Sequence, residues 1–104
     1  MDIEQIKLLV QKGNIIWRGH MLVRMQQRNV PLRDIINCVT YGELIEDYPS
    51  DFPYPSCLIL GRTLDNRALH VVCAVGEDHV WMITAYSPNL DEWCDDYKCR
   101  RKKR

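Results

Sequence analysis

The spacing of apolar residues changes from helical to strand-like near Gly42, and this change constrains the fold more than any other feature of the sequence. In residues 32–39 the apolar positions follow the i, i+3, i+4, i+7 spacing of a helix, and Pro31 precedes them where proline fits the first helical turn. After Gly42 the apolar residues fall in short runs that are rich in β-branched side chains. Because helices come first and strands follow, the pattern predicts the α+β class.

Two more helices are predicted nearer the N-terminus. Asp2 is a suitable N-cap for a helix that ends near Gly13, and residues 20–28 carry two methionines on one stripe of a second helix. Residues 15–17, Ile-Ile-Trp, leave two alternatives open, because they suit either a short strand or a buried link.

Four strands are predicted in the second part of the chain. The connections near residues 65–66 and 76–78 are short enough only for hairpins, so the strands that they join are antiparallel. Three prolines in residues 49–55 exclude that stretch from a sheet interior, and we expect an ordered loop whose aromatic rings pack on the core. We therefore expect three N-terminal helices on one face of a mainly antiparallel sheet of about four strands: residues 43–47, 57–63, 68–75 and 80–86.

Length and charge distribution bound the organisation of the chain. Its 104 residues suffice for one core, and a hydrophobic content of 46% excludes disorder and collagen-like repeats. The net charge is zero, yet residues 41–96 carry a net charge of −9 and residues 98–104 carry six cations and no acid. This segregation suits an anion-facing surface beside an acidic one, and it also suits a solvated face with a free tail. We expect one domain over residues 1–97 and a basic tail over residues 98–104 that binds polyanions or is disordered.

The cysteines and the start of the chain bear on location and on metal binding. Five cysteines are an odd number and three lie in apolar stretches, which suits reduced thiols in the cytoplasm. The acidic start and the lack of a long apolar run predict no secretory signal and no membrane partner. Cys94 and Cys99 lack a second close pair and the histidines are far apart in sequence, so neither a metal nor a cofactor is expected.

Five polar residues are candidates for chemistry. His20, Arg24 and Arg28 recur every four residues and so lie on one side of a helix, where guanidinium groups can donate to phosphate oxygens. The same spacing is typical of a solvated helix face. His70 interrupts an apolar strand and Tyr86 ends the last strand, and each suits a core position as well as proton transfer or anion binding.

The turn between the last two strands decides whether two of these candidates meet. A three-residue loop at residues 76–78 puts His70 and Tyr86 on one face of the sheet. A two-residue loop reverses the parity and separates them. The sequence leaves this register open.

Four segments together resemble the DUF4258 family, over residues 20–88. They are His20-Met21-x-x-Arg24-Met25-x-x-Arg28, Gly42-Glu43-Leu44-Ile45-Glu46-x-Tyr48-Pro49, Tyr54-Pro55-Ser56-Cys57-Leu58-Ile59-Leu60-Gly61 and Leu69-His70-Val71-Val72. The resemblance implies a RelE-like fold, with helices on a curved antiparallel sheet, and a relation to toxin ribonucleases of the barnase–colicin type. Some relatives are encoded beside zinc-finger antitoxins, which are therefore possible partners.

The activity implied by this resemblance is metal-independent cleavage of RNA. His20, Arg24, Arg28, His70 and Tyr86 fall on polar positions of the family pattern, and their roles here follow from their chemistry. A histidine would serve as acid or base, the two arginines would hold phosphate, and the tyrosine would donate a proton. The alternative is a non-catalytic module that binds a protein or RNA.

Overall fold

Helices and strands alternate only at the start of the chain in the computed structural model, which describes residues 1–102. In chain order the elements are α1 (Ile3–Gln11), β1 (Ile15–Trp17), α2 (Gly19–Arg28), α3 (Leu32–Tyr41), β2 (Glu43–Tyr48), β3 (Ser56–Arg62), β4 (Ala68–Gly76) and β5 (His79–Tyr86). The predicted α+β class with N-terminal helices is confirmed. None of the helices in the described residues has the length and apolar character needed to cross a bilayer.

The five strands form one mixed sheet in the order β1-β5-β4-β3-β2. The four strands from β2 to β5 are antiparallel neighbours, as predicted, and β4 is the central strand. The fifth strand is β1, which the sequence left undecided and which pairs in parallel with β5. The sheet is open and uncurled, with β1 and β2 as separate edges, whereas the family resemblance implied a curved sheet.

The helices cover one face of this sheet. Their apolar stripes supply Ile6, Leu9 and Val10 from α1, Met21 and Met25 from α2, and Ile35, Cys38 and Val39 from α3. The free cysteines Cys38, Cys57 and Cys73 are buried in this core as small apolar residues, as the sequence predicted. Burial raises the pKa of the Cys38 thiol to about 12, so it stays protonated at neutral pH.

The opposite face of the sheet is here called the second face. His70 lies on it, because side chains alternate along a strand and the neighbouring Leu69 and Val71 point into the core under the helices. Residues 87–102, the C-terminal segment, cover one end of it, because Trp93 is buried against the His70 ring. The loop of residues 49–55 covers the other end.

The C-terminal segment is attached to β2 through charged residues. Lys98 pairs with Glu43 at 2.9 Å, and Arg100 pairs with Glu46 at 3.0 Å. Two cations of the basic tail expected over residues 98–104 are thus paired with carboxylates of the acidic middle of the chain. Residues 103–104 lie outside the described part of the chain.

The loop of residues 49–55 is irregular, as its prolines predicted. Tyr54 packs on Trp81 with ring centroids 5.5 Å apart. Phe52 differs from the expectation that its ring packs on the core, since it is 95% exposed. The loop therefore supplies one ring to the sheet and holds another in solvent.

Candidate functional site

His70 and Tyr86 are direct partners in the ladder between β4 and β5. The turn between these strands is Glu77-Asp78, a two-residue turn in which both φ angles are positive, 54° and 59°. In a regular ladder such a turn would pair His70 with Ala85 and put Tyr86 on the other face.

A β-bulge in β5 puts His70 and Tyr86 back on the same face of the sheet. The register shifts between Val72 and Cys73, which leaves Ile83 as the extra residue of β5. Because the bulge adds one residue, His70 and Tyr86 lie side by side despite the two-residue turn. The expectation that only a three-residue loop brings them together was wrong, since it assumed an unbroken ladder.

The imidazole of His70 is hydrogen-bonded at both nitrogens and has no exposed surface. Nε2 lies 2.9 Å from the carbonyl oxygen of Tyr97, and Nδ1 lies 3.2 Å from the hydroxyl of Tyr86. A carbonyl only accepts, so Nε2 carries the proton and neutral Nδ1 accepts from the Tyr86 hydroxyl. Burial lowers the pKa of His70 and so favours this neutral form.

The C-terminal segment builds a second layer over this histidine. The ring of Trp93 meets the imidazole edge-on at a centroid distance of 4.4 Å, and the Arg100 guanidinium lies 4.7 Å from the Trp93 ring centroid. Arg100 also donates from two nitrogens to Glu46, at 3.0 Å each. This guanidinium holds the pKa of Glu46 below its usual range. His70 is therefore enclosed and stands behind Tyr86.

A cavity of about 560 Å³ opens in front of Tyr86. Arg28, at the end of α2, lines it and is anchored by a 2.7 Å hydrogen bond from Nη1 to the carbonyl of Ala85. Tyr86 and Glu92 also line the cavity. Burial raises the pKa of Tyr86, so it is a phenol at neutral pH. An arginine, a tyrosine and a glutamate thus line one space.

The other two residues of the predicted helix stripe lie away from this cavity. His20 lines a second cavity of about 340 Å³ at the start of α2, together with Arg18, Tyr54 and Trp81. With a rise of about 1.5 Å per helical residue, His20 and Arg28 are roughly 12 Å apart along the axis. Arg24 lies between them and is exposed. The structure brings Arg28, His70 and Tyr86 together and leaves His20 and Arg24 further along the helix.

The sequence reasoning missed the contribution of the C-terminal segment. Glu92, Trp93 and Tyr97 lie in a stretch without helical or strand periodicity, so no pattern assigned them a place, and Arg100 was assigned only to the basic tail. The sequence feature that could have indicated an ordered C-terminal segment is the pair Cys94 and Cys99. These cysteines form a disulfide with Cα atoms 5.5 Å apart. The expectation of reduced thiols holds for the buried cysteines and not for this pair. Among residues 1–102, no three His, Cys, Asp or Glu side chains are grouped to hold a metal ion.

Comparison with protein-family models gives a match. The model of the DUF4258 family, described as a domain of unknown function, matches residues 17–87. The matched range contains α2, α3, the strands β2 to β5 and the last residue of β1, and it includes both His70 and Tyr86. A search of curated proteins and a search of solved structures each found no match.

Proposed function

Since the chain belongs to the DUF4258 family, whose description assigns no activity, we propose a function from its geometry: cleavage of single-stranded RNA at the cavity between Arg28 and Tyr86, without a resident metal. The observation that carries the proposal is that Arg28, Tyr86 and Glu92 line one cavity while a buried neutral imidazole stands behind the tyrosine. These are the side-chain types that cleavage by a 2′-hydroxyl requires.

Arg28 is the phosphate-binding group of the proposal. Its Nη1 is fixed on a backbone carbonyl, which orients the planar guanidinium and leaves its other donors for phosphate oxygens. Arg24, one turn back on α2, and Arg18, the residue just before the helix, are further arginines with exposed side chains. A strand bound at Arg28 therefore meets further cations along the helix.

The proposed cleavage step moves two protons. Glu92 takes the proton of the 2′-hydroxyl, the 2′-oxygen bonds to phosphorus, and the bond from phosphorus to the 5′-oxygen breaks. As the 5′-oxygen departs, the Tyr86 hydroxyl turns its proton from Nδ1 of His70 to that oxygen, and Arg28 stabilises charge on the non-bridging oxygens. The products are a 2′,3′-cyclic phosphate and a 5′-hydroxyl. Solvent then restores the proton of Tyr86 and accepts that of Glu92.

His70 acts through Tyr86 in this scheme. The sequence proposed it as an acid or base, but a ring with no exposed surface and two internal hydrogen bonds does not reach a substrate. It holds the tyrosine in place and is a positioning residue. Its replacement should alter the pH profile of cleavage through Tyr86.

The test is incubation of purified protein with a fluorescent single-stranded RNA in EDTA. We expect cleavage by the wild type and losses of about 100-fold or more for Arg28→Ala and Tyr86→Phe. Arg33→Ala is the matched control, because Arg33 is an exposed arginine on α3 outside the cavity. RNA that binds but stays intact with the wild type would favour the non-catalytic binding module instead.

The proposal extends to the cellular setting. The resemblance to toxin ribonucleases supports a cytoplasmic enzyme that a zinc-finger antitoxin protein holds inactive. Expression of the wild type alone should then arrest bacterial growth, and Arg28→Ala should remove the arrest. Equal growth with both proteins at matched levels would contradict the toxin assignment.

A further inference from the structure

The second cavity, at the start of α2, has aromatic walls. The rings of Tyr54 and Trp81 meet at 5.5 Å and 36° on one side of it. Phe52 stands at its rim with 95% of its surface exposed. A ring so exposed gains nothing from the core, and here it extends an aromatic surface that the cavity already contains.

These rings are held by the hairpin between β4 and β5. Trp81 donates from Nε1 to the carbonyl of Gly76 at 3.0 Å. The Tyr54 ring occupies the space where a Cβ of Gly76 would be, so it lies directly on that residue. The wall is therefore formed before any ligand arrives, which lowers the ordering cost of binding.

The rim of the cavity adds two basic side chains to the rings. Arg18 and His20 line it and are exposed, while Asp51 on the opposite loop accepts a hydrogen bond from the Ser56 hydroxyl. Stacking surfaces beside cations are the combination with which proteins bind single-stranded nucleic acid, because each base offers a flat face and each phosphate a charge.

Building on the proposed cleavage of RNA, we propose that this cavity is a subsite for one unpaired nucleobase of the same strand. The base stacks on Phe52 beside the Tyr54–Trp81 wall, and its phosphate lies against Arg18 and His20. The roughly 12 Å between His20 and Arg28 along α2 is a span that a short oligonucleotide covers. Stacking at this subsite would set which phosphate enters the cleavage cavity.

The experiment separates this inference from catalysis by measuring binding of an oligonucleotide that cannot be cleaved. The probe is a fluorescent 2′-O-methyl RNA, which lacks the attacking hydroxyl. Phe52→Ala should weaken its binding about five-fold or more, as loss of one stacked base does. Tyr41→Ala is the control, because Tyr41 is 80% exposed on α3 and lies outside this cavity. Both side chains are on the surface, so both variants should fold.

A second probe carries an abasic position, and probes with the gap at successive positions are compared. At one position, the missing base should weaken binding to the wild type as much as Phe52→Ala weakens binding of the complete probe. The same missing base should not weaken binding to Phe52→Ala any further. Equal binding of the wild type and Phe52→Ala would overturn the subsite even if the wild type cleaves RNA. Loss of binding in Phe52→Ala would support it even if no RNA is cleaved. Tighter binding of an apolar peptide than of the probe would also overturn it.

Discussion

The Tyr86 hydroxyl lies 3.2 Å from Nδ1 of His70, on the residue directly opposite in the neighbouring strand. The other nitrogen of the same ring donates to the carbonyl of Tyr97 in the C-terminal segment. The histidine thus joins a strand pair to a segment that has no regular structure of its own. Stability measurements test this arrangement independently of any activity.

Removal of the Tyr86 hydroxyl should destabilise the fold. Tyr86→Phe keeps the ring but leaves the buried Nδ1 of His70 without a donor, which costs about 1–3 kcal/mol. Urea denaturation measures this difference in the free energy of unfolding. Tyr41→Phe removes the hydroxyl of an exposed tyrosine and should have no measurable effect. Equal stabilities of the two variants would contradict the hydrogen bond.

The stability of the fold should fall on acidification because of His70. Burial lowers its folded pKa below the ordinary value of 6.5, so the unfolded chain binds the proton more readily. The stabilisation is therefore complete above an unfolded pKa of about 6.5, and it is lost as the pH falls from there through the folded pKa. Urea denaturation at a series of pH values should show a weaker pH dependence for His70→Asn than for the wild type.

Reduction of the Cys94–Cys99 disulfide should loosen the C-terminal segment. The bond closes a loop across a sequence separation of five, and loop-closure entropy assigns such a loop about 2 kcal/mol. The same loop presents the Tyr97 carbonyl to His70. We expect dithiothreitol to lower the Tm of the wild type. The Cys94→Ser/Cys99→Ser double variant should start from the lower Tm and should not respond to the reductant.

Two glycines should respond to alanine in opposite directions. A Cβ on Gly61 would lie 2.7 Å from the Cα of Cys38 in α3, so Gly61→Ala should force α3 away from β3 and cost on the order of 1–3 kcal/mol. A Cβ on Gly19 would meet nothing within 4 Å, and this residue begins α2. Gly19→Ala should be neutral or stabilising. Chemical denaturation of both variants measures the contrast.

The helices and most of the sheet could be predicted because local rules specify them. Asp2, Pro31 and Gly42 mark helix ends by backbone chemistry that acts within a few residues. The almost wholly apolar run of residues 68–75 is typical of a strand that is covered on both faces, and this run forms the central strand β4. The stripe spacing of His20, Arg24 and Arg28 was likewise a local property of one helix.

The site was decided by contacts between residues far apart in sequence. The bulge at Ile83 sets the face of Tyr86, and a bulge is chosen by how two strands and the layers on them pack together. Trp93 and Arg100 cover His70 from a segment with no periodic pattern, so their position depends on the disulfide and on Glu46 in β2. The sequence by itself determined the elements and the chemistry available to the protein. Only the tertiary structure decided which groups meet, because register, bulges and the docking of irregular chain are settled by long-range packing.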